Sequence, residues 1–262
     1  MNQHPAHPLR ILYEYVALYL GLGLLASFCL AWTPLAMLLQ PLLPRRRGER
    51  LGRLVITGGF CLYLRCLSAL RACRFDFGEL DTLRGQPAMI IAPNHPCLLD
   101  AVLIISRLPV TCVMKAELMQ NLFLGAGARL AGYIGNASLR VMVSHAADAL
   151  RQGNHLLMFP EGTRSTHFPV NPFTGSLGLI ARYAKVPVQT VFIDTDSPFL
   201  GKGWSLFRKP SMPVTYCLRL GRRFDPPASA QAFAIELEAY FASEMNRQPT
   251  LLRQWLPQPP NA

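Results

Sequence analysis

Between Ile11 and Pro44 the chain is almost unbroken apolar sequence, with Glu14 near its start and Pro34 inside it. Such a run is helical if it enters lipid, because a helix alone satisfies its own backbone groups without water. About 20 apolar residues span a bilayer, and residues 13–33 suffice. The run is too long for the apolar core of a signal peptide and lacks a small-residue cleavage site. Pro34 predicts a kink there, or a turn into a re-entrant hairpin. The competing reading is a helix buried in a soluble core. Residues 51–72 carry apolar residues at helical spacing with intermittent arginines, which reads as an amphipathic helix on a membrane or a second helix packed on the first.

The charge pattern continues this reading. Net charge is +11, and between Arg45 and Arg74 eight arginines (45, 46, 47, 50, 53, 65, 71 and 74) stand against the single acid Glu49. Basic residues beside an apolar segment are attracted to anionic headgroups, and Arg45-Arg46-Arg47 puts the chain beyond it on the cytoplasmic side. Nucleic-acid binding also uses basic patches, but no helix-turn-helix, zinc-finger or aromatic RNA-binding signature accompanies this one. Seven cysteines with no C-x-x-C pair read as reduced core residues of a cytosol-facing protein, not a disulfide framework or zinc site.

Beyond residue 72 the pattern changes. Short β-type runs at 74–77, 88–92, 110–114, 155–159, 188–193 and 214–220 alternate with helical runs at 99–107, 122–131, 138–152, 176–184 and 229–245. That alternation predicts an α/β fold, a central sheet covered by helices. The expected organisation is an anchor over residues 1–72 and a catalytic domain over 73–262, with an irregular tail from Gln248.

Two segments carry chemistry. After the run at 88–92 comes Pro93-Asn94-His95-Pro96-Cys97-Leu98-Leu99-Asp100. Pro96 suits a first helical position, with Asn94 or His95 capping before it. Asp100 then reaches back to one ring nitrogen of His95 and fixes its tautomer, leaving the other nitrogen as general base. This is the acid–base half of a Ser-His-Asp triad, and no G-x-S-x-G elbow supplies a serine. A base without a protein nucleophile suits a reaction whose nucleophile is the substrate's own hydroxyl. Cys97 reads as a small buried residue rather than a nucleophile.

The second segment is Phe159-Pro160-Glu161-Gly162-Thr163-Arg164-Ser165, a polar loop after an apolar strand. Gly162 permits close backbone approach. Arg164 offers a planar donor fork to phosphate beside the Thr163 and Ser165 hydroxyls, and Glu161 offers an acceptor to a hydroxyl-bearing substrate. An ordinary solvated loop with an exposed ion pair is the competing reading.

NHPCLLD followed some sixty residues later by FPEGTRS resembles the signature of the glycerol-phosphate acyltransferase family, which includes bacterial 1-acyl-glycerol-3-phosphate acyltransferases. The resemblance covers residues 88–220 and implies a central mixed sheet covered by helices, with an N-terminal hydrophobic helical membrane anchor. It implies that His95 deprotonates the acceptor hydroxyl and Asp100 holds it. Glu161, Gly162, Thr163 and Arg164 would grip the glycerol-phosphate part of the acceptor, with Asn94 counted among the substrate-binding groups and Lys115 matching a family lysine that faces the phosphate. Gly132-Tyr133-Ile134-Gly135-Asn136 aligns with the family's second motif, and Val186-Pro187-Val188 with its fourth, lining the acyl channel.

Two positions depart from the family pattern. Asn136 stands where arginine is usual, and Thr190 where a second proline is usual, which leaves the acceptor open. MKAELMQNLFLG, GYIGN and VPVQTVFIDTDSPFLGKGW look like a bacterial subset found with aryl-polyene-type lipid biosynthesis. The implied activity is acyl transfer to a lysophospholipid such as 1-acyl-glycerol-3-phosphate. No cofactor or metal is expected, and acyl carrier protein or acyl-CoA serves as co-substrate. The implied partners are membrane lipids, and the implied location is the bacterial cytoplasmic membrane. A different acceptor in a specialised lipid pathway, an acyl-thioester hydrolase using His95 on water, and a non-catalytic membrane adaptor are the alternatives.

Overall fold

The computed structural model describes residues 8–258. The first apolar run is one helix, α1 (Pro8–Leu42), continuous through Pro34. At 35 residues it is about 52 Å long. The chain reverses at Leu43-Pro44, not at Pro34, and returns as α2 (Arg45–Ala69). The Tyr13 hydroxyl near the start of α1 donates to the Leu70 carbonyl just beyond α2, so the two helices form an antiparallel hairpin. Only 11% of the most apolar window of α1 is buried, which excludes a core helix. Among the described residues α1 and α2 are the two helices long and apolar enough to cross a membrane, by length and composition alone.

The hairpin leads into a seven-stranded mixed sheet of order β1-β7-β6-β2-β5-β3-β4. Its strands are β1 (Cys73–Asp76), β2 (Ile90–Pro93), β3 (Thr111–Met114), β4 (Ile134–Gly135), β5 (Leu156–Leu157), β6 (Val188–Thr195) and β7 (Val214–Phe224). β6, β2, β5, β3 and β4 are mutually parallel, β7 runs against β6, and β1 runs parallel to β7. The helices between them are α3 (Asp100–Ile105), α4 (Ala116–Met119), α5 (Gly125–Leu130), α6 (Leu139–Arg151) and α7 (Ser176–Ala184), and α8 (Ala230–Arg247) follows the last strand. The expected α/β architecture is therefore present. Neither β4, at two residues, nor α4, at four, had a periodic signal long enough to read.

Alternate residues of the central strands enter two cores, as a strand's period of two requires. Ile91, Leu157, Val191 and Ile193 face α1, α2 and α3. Ile90, Leu156, Val188 and Phe192 face α6, α7 and α8. Burial on both faces explains why these strands read as continuous apolar runs rather than alternating ones. Ala17, Leu18, Tyr63 and Leu67 of the hairpin share the first core with Val214 and Tyr216 of β7.

Three expectations need correction. Pro96 does not open a helix: α3 starts at Asp100, and residues 96–99 form a turn. The tail from Gln248 is not wholly irregular. It forms a 3-10 helix, Leu251–Gln254, whose N–H groups at Leu251 and Leu252 donate to the Asp194 carboxylate at the end of β6. Arg53 is not part of an exposed basic face. It is buried and donates to the Ala131 carbonyl at 3.1 Å and to Asn154 Oδ1 at 2.9 Å, bolting α2 to the body.

Candidate active site

The parallel strands bring several loops to one edge. β2 ends before His95, β5 before Phe159, β3 before Lys115, β4 before Asn136, and β6 before the segment leading to Leu200. In open α/β sheets ligands bind at this carboxyl edge.

His95 and Asp100 meet there. Nδ1 of His95 lies 2.8 Å from Asp100 Oδ2. A carboxylate accepts, so Nδ1 carries the proton and Nε2 presents its lone pair. Asp100 is fully buried while the His95 side chain keeps 16% of its surface exposed. The Asp100 carboxylate also receives the Cys97 N–H at 2.7 Å and the Cys97 thiol at 3.0 Å. Those bonds wrap residues 96–99 around the carboxylate, and they are the reason helix begins late. Burial, then the neighbouring Asp100, pushes the Cys97 thiol far above the ordinary thiol range. Cys97 is no nucleophile; it supports the dyad.

The imidazole is clamped from its other side. Its ring stacks on Phe159 with centroids 3.9 Å apart and planes 22° apart. The His95 N–H donates to Glu161 Oε1 at 2.9 Å, and its carbonyl accepts the Ser165 N–H at 2.7 Å. The two sequence motifs are thus stitched together through the backbone of the base itself.

This arrangement redirects two expected substrate contacts. Glu161 is 5% exposed, and both its oxygens are occupied: Oε1 by the His95 N–H and the Ser165 hydroxyl, Oε2 by the Asn171 N–H. It is a strut between loops rather than an acceptor aimed at substrate. Burial raises its carboxyl above the usual range, while these donors and the adjacent His95 pull it back. Asn94 is likewise consumed. Its Oδ1 accepts the Ile193 N–H at 2.7 Å and its Nδ2 donates to the Ile193 carbonyl at 2.9 Å. After Pro93 the side-chain amide replaces the strand's own ladder bonds to β6, and the main chain is free to turn toward the dyad.

Arg164 sits at the rim, half-buried. Nη1 donates to the Leu200 and Gly201 carbonyls at 2.9 and 2.8 Å. Leu200 also accepts the Leu98 N–H at 3.1 Å, which ties the arginine to the His95–Asp100 turn. The remaining guanidinium N–H groups have no partner among the described residues. Gly162 is exposed at φ +67° with open space where a Cβ would be, so its need is conformational. Thr163 is half-buried beside it. Lys115 lies on the same sheet edge as an exposed N-cap of α4, and no side-chain contact joins it to the dyad.

Asn136 accepts the Ala116 N–H at 3.1 Å and so shapes the start of α4. Val188 stands beside Ile90 at the amino end of the sheet, in the core under α7. Residues 186–188 are therefore remote from the dyad. Leu99, next to Asp100, lines a small apolar gap together with Phe199, Met212, Leu18 and Leu67. Thr190 is buried and donates to the Arg222 carbonyl at a bulge in β7.

Phe159, Asn171, Leu200 and Gly201 hold the site together without having been singled out. Phe159 lay inside the motif and its ring was a readable signal. The others are placed by folding, and nothing local marks them. Among the described residues no group of three His, Cys, Asp or Glu side chains could hold a metal.

Residues 74–194 match the family model described as Acyltransferase. The chain is 26% identical to the 1-acyl-sn-glycerol-3-phosphate acyltransferase beta of Homo sapiens over 206 residues, 75% of this chain and 72% of that protein. It is 33% identical to the lyso-ornithine lipid O-acyltransferase of Pseudomonas aeruginosa over 128 residues, 44% of this chain and 49% of that protein. The crystal structure of the 1-acyl-sn-glycerophosphate acyltransferase from Thermotoga maritima aligns with a TM-score of 0.69 at 18% identity, covering 91% of this chain and 97% of that one. At that identity the likeness shows the fold.

Proposed function

We propose that this chain, whose residues 74–194 match the acyltransferase family model, is an acyltransferase that moves a fatty acyl group from a thioester of acyl carrier protein or coenzyme A onto the free hydroxyl of an anionic lysolipid. The observation that carries the reading is the His95–Asp100 pair, on a turn tied through the Leu200 carbonyl to an arginine whose remaining N–H groups are unspent. The acceptor oxygen attacks the thioester carbonyl while Nε2 takes its proton. Collapse of the adduct expels the thiolate, which recovers that proton. Asp100 orients the ring and stabilises the imidazolium formed in between. Arg164 receives the acceptor's phosphate through its free donors.

Lysophosphatidic acid is the first acceptor to test. A lysolipid with a different polar group is the second, favoured by Asn136, which offers a neutral amide engaged with Ala116 where family members usually carry arginine. The hairpin supports a membrane surface as the place of work. α1 is fastened to the body at Glu14, through Met212, and at Thr33, through Phe123. These points are 19 residues, about 28 Å, apart along the helix. A helix held to the body at both points offers its outward apolar side to lipid instead of threading the bilayer alone.

The test is purified protein in detergent, offered both thioester donors and a panel of lysolipids, with products read by mass spectrometry. His95→Ala should lower turnover by about 10²- to 10⁴-fold in a protein that still unfolds cooperatively. Wild-type turnover in that variant would overturn the mechanism. Free fatty acid as the sole product with every acceptor would mean a hydrolase.

A further inference from the structure

The segment that holds Arg164 also carries exposed apolar and basic side chains together. Between Ser197 and Met212 the chain carries Lys202, Arg208 and Lys209 and no acid. Lys209 is neutralised by Glu14 of α1. Lys202 and Arg208 are exposed without an acidic partner among the described residues, and between them Leu206 and Phe207 stand 44% and 61% exposed. The loop is not slack. The Trp204 indole N–H donates to the Arg208 carbonyl at 3.0 Å, the Arg208 guanidinium lies 4.6 Å above that ring, and Trp204 packs edge-on against buried Phe199. Phe207 stacks on Tyr19 of α1 at 6.3 Å, so the loop tip continues the outward apolar side of the hairpin.

The base of the same loop reaches the site. Leu200 adopts a left-handed backbone conformation, φ +60°, unfavourable for a residue with a branched side chain. In that conformation two successive carbonyls, of Leu200 and Gly201, turn toward the same nitrogen of Arg164. Gly201 in addition accepts the Trp204 N–H at 3.1 Å, so the guanidinium and the indole residue hang from one peptide. Strain of this kind persists where the surroundings over-determine it, and it collects at functional sites.

We propose that residues 201–209 are an interfacial foot. The loop sinks Leu206 and Phe207 into an anionic lipid surface, places Lys202 and Arg208 among its headgroups, and through Leu200 and Gly201 sets Arg164 at a fixed height above it. Arg164 thereby meets acceptors that lie in the surface rather than free in solution. The proposal rests on the membrane reading of the hairpin, and its test separates the two.

Full-length Phe207→Trp is reconstituted with phosphatidylethanolamine–phosphatidylglycerol vesicles, with and without bromine on the acyl chains. Flotation of wild type tests the membrane reading alone. The foot requires that the added indole be quenched by bromine beyond the change seen with the native tryptophans. In kinetics, Phe207→Ser should raise KM about tenfold for acceptor embedded in vesicles, since most of the burial of one aromatic ring is lost, with kcat kept. KM for a short-chain acceptor dispersed in water should not change. Lys202→Gln should raise the vesicle KM about fivefold, and only when phosphatidylglycerol is present. Floating protein whose added indole is not quenched, or a KM change equal for embedded and dispersed acceptor, would reduce the loop to a structural support. Wild type that does not float would sink the membrane reading and this proposal with it.

Discussion

Glu161 illustrates how a residue's chemistry depends on what surrounds it. In the sequence it is a polar side chain in a loop, available to any substrate. In the fold three donors converge on it and burial raises its carboxyl. A carboxyl whose folded value lies above its unfolded value binds its proton more tightly in the fold. The associated stability is present below the ordinary carboxylate range and is lost as pH rises to the raised value. Glu161→Gln removes this group from titration, so the melting temperature of wild type should fall relative to that of the variant as pH rises through that window. Parallel profiles for the two proteins would contradict the buried strut. Arg164 behaves differently, because only part of its donor set is spent. Arg164→Ala should chiefly raise KM for the acceptor if the contact is equally strong in ground and transition states, a split that steady-state kinetics reads directly.

At the scale of elements, the pairing of β6 with β7 is interrupted between Gln189 and Val191, where the register on β7 shifts from Arg223 to Leu220. One extra residue switches which face successive side chains occupy. Accordingly Val214, Tyr216 and Leu218 enter the hairpin-side core and Phe224 enters the other. Thr190 and Gln189 stabilise the bulge by donating to the Arg222 and Gly221 carbonyls. A Cβ on Gly221 would lie 2.5 Å from both the Phe192 ring and Thr190 Oγ1. Gly221→Ala should therefore cost about 1–3 kcal/mol in urea unfolding, and a wild-type midpoint would disprove that packing. The threonine that departs from the family's proline pattern thus has a structural reason, a hydroxyl at a bulge, independent of the acceptor.

For the molecule as a whole, the hairpin and the sheet share a core. Ala17, Leu18, Tyr63, Leu64 and Leu67 pack with Leu103, Val214 and Tyr216, so removing residues 1–72 would strip one face of the sheet. Burial of that size is the main favourable term in folding. A fragment of residues 73–262 should fail to give a cooperative thermal transition. A sharp transition in the fragment would mean that the sheet and its remaining helices are self-sufficient. The hairpin is also fastened by polar contacts: Glu14 with Lys209 and the Met212 N–H, and Arg53 with Ala131 and Asn154.

The amino-acid sequence by itself determined the apolar hairpin's material, the α/β alternation, and the two loops that carry chemistry. Each of these is a local pattern: a run long enough for lipid, a change of period, a cluster of reactive residues at a strand end. Only the tertiary structure decided that the chain turns at Pro44, that Asn94 and Glu161 are spent on Ile193, His95, Ser165 and Asn171, and that Leu200 and Gly201 hold Arg164. Those contacts join residues up to about a hundred positions apart, and a polar side chain in a sequence does not say whether its partner will be water, substrate or a distant backbone amide. Desolvation settles that, and desolvation exists only once the sheet and hairpin have closed around the site.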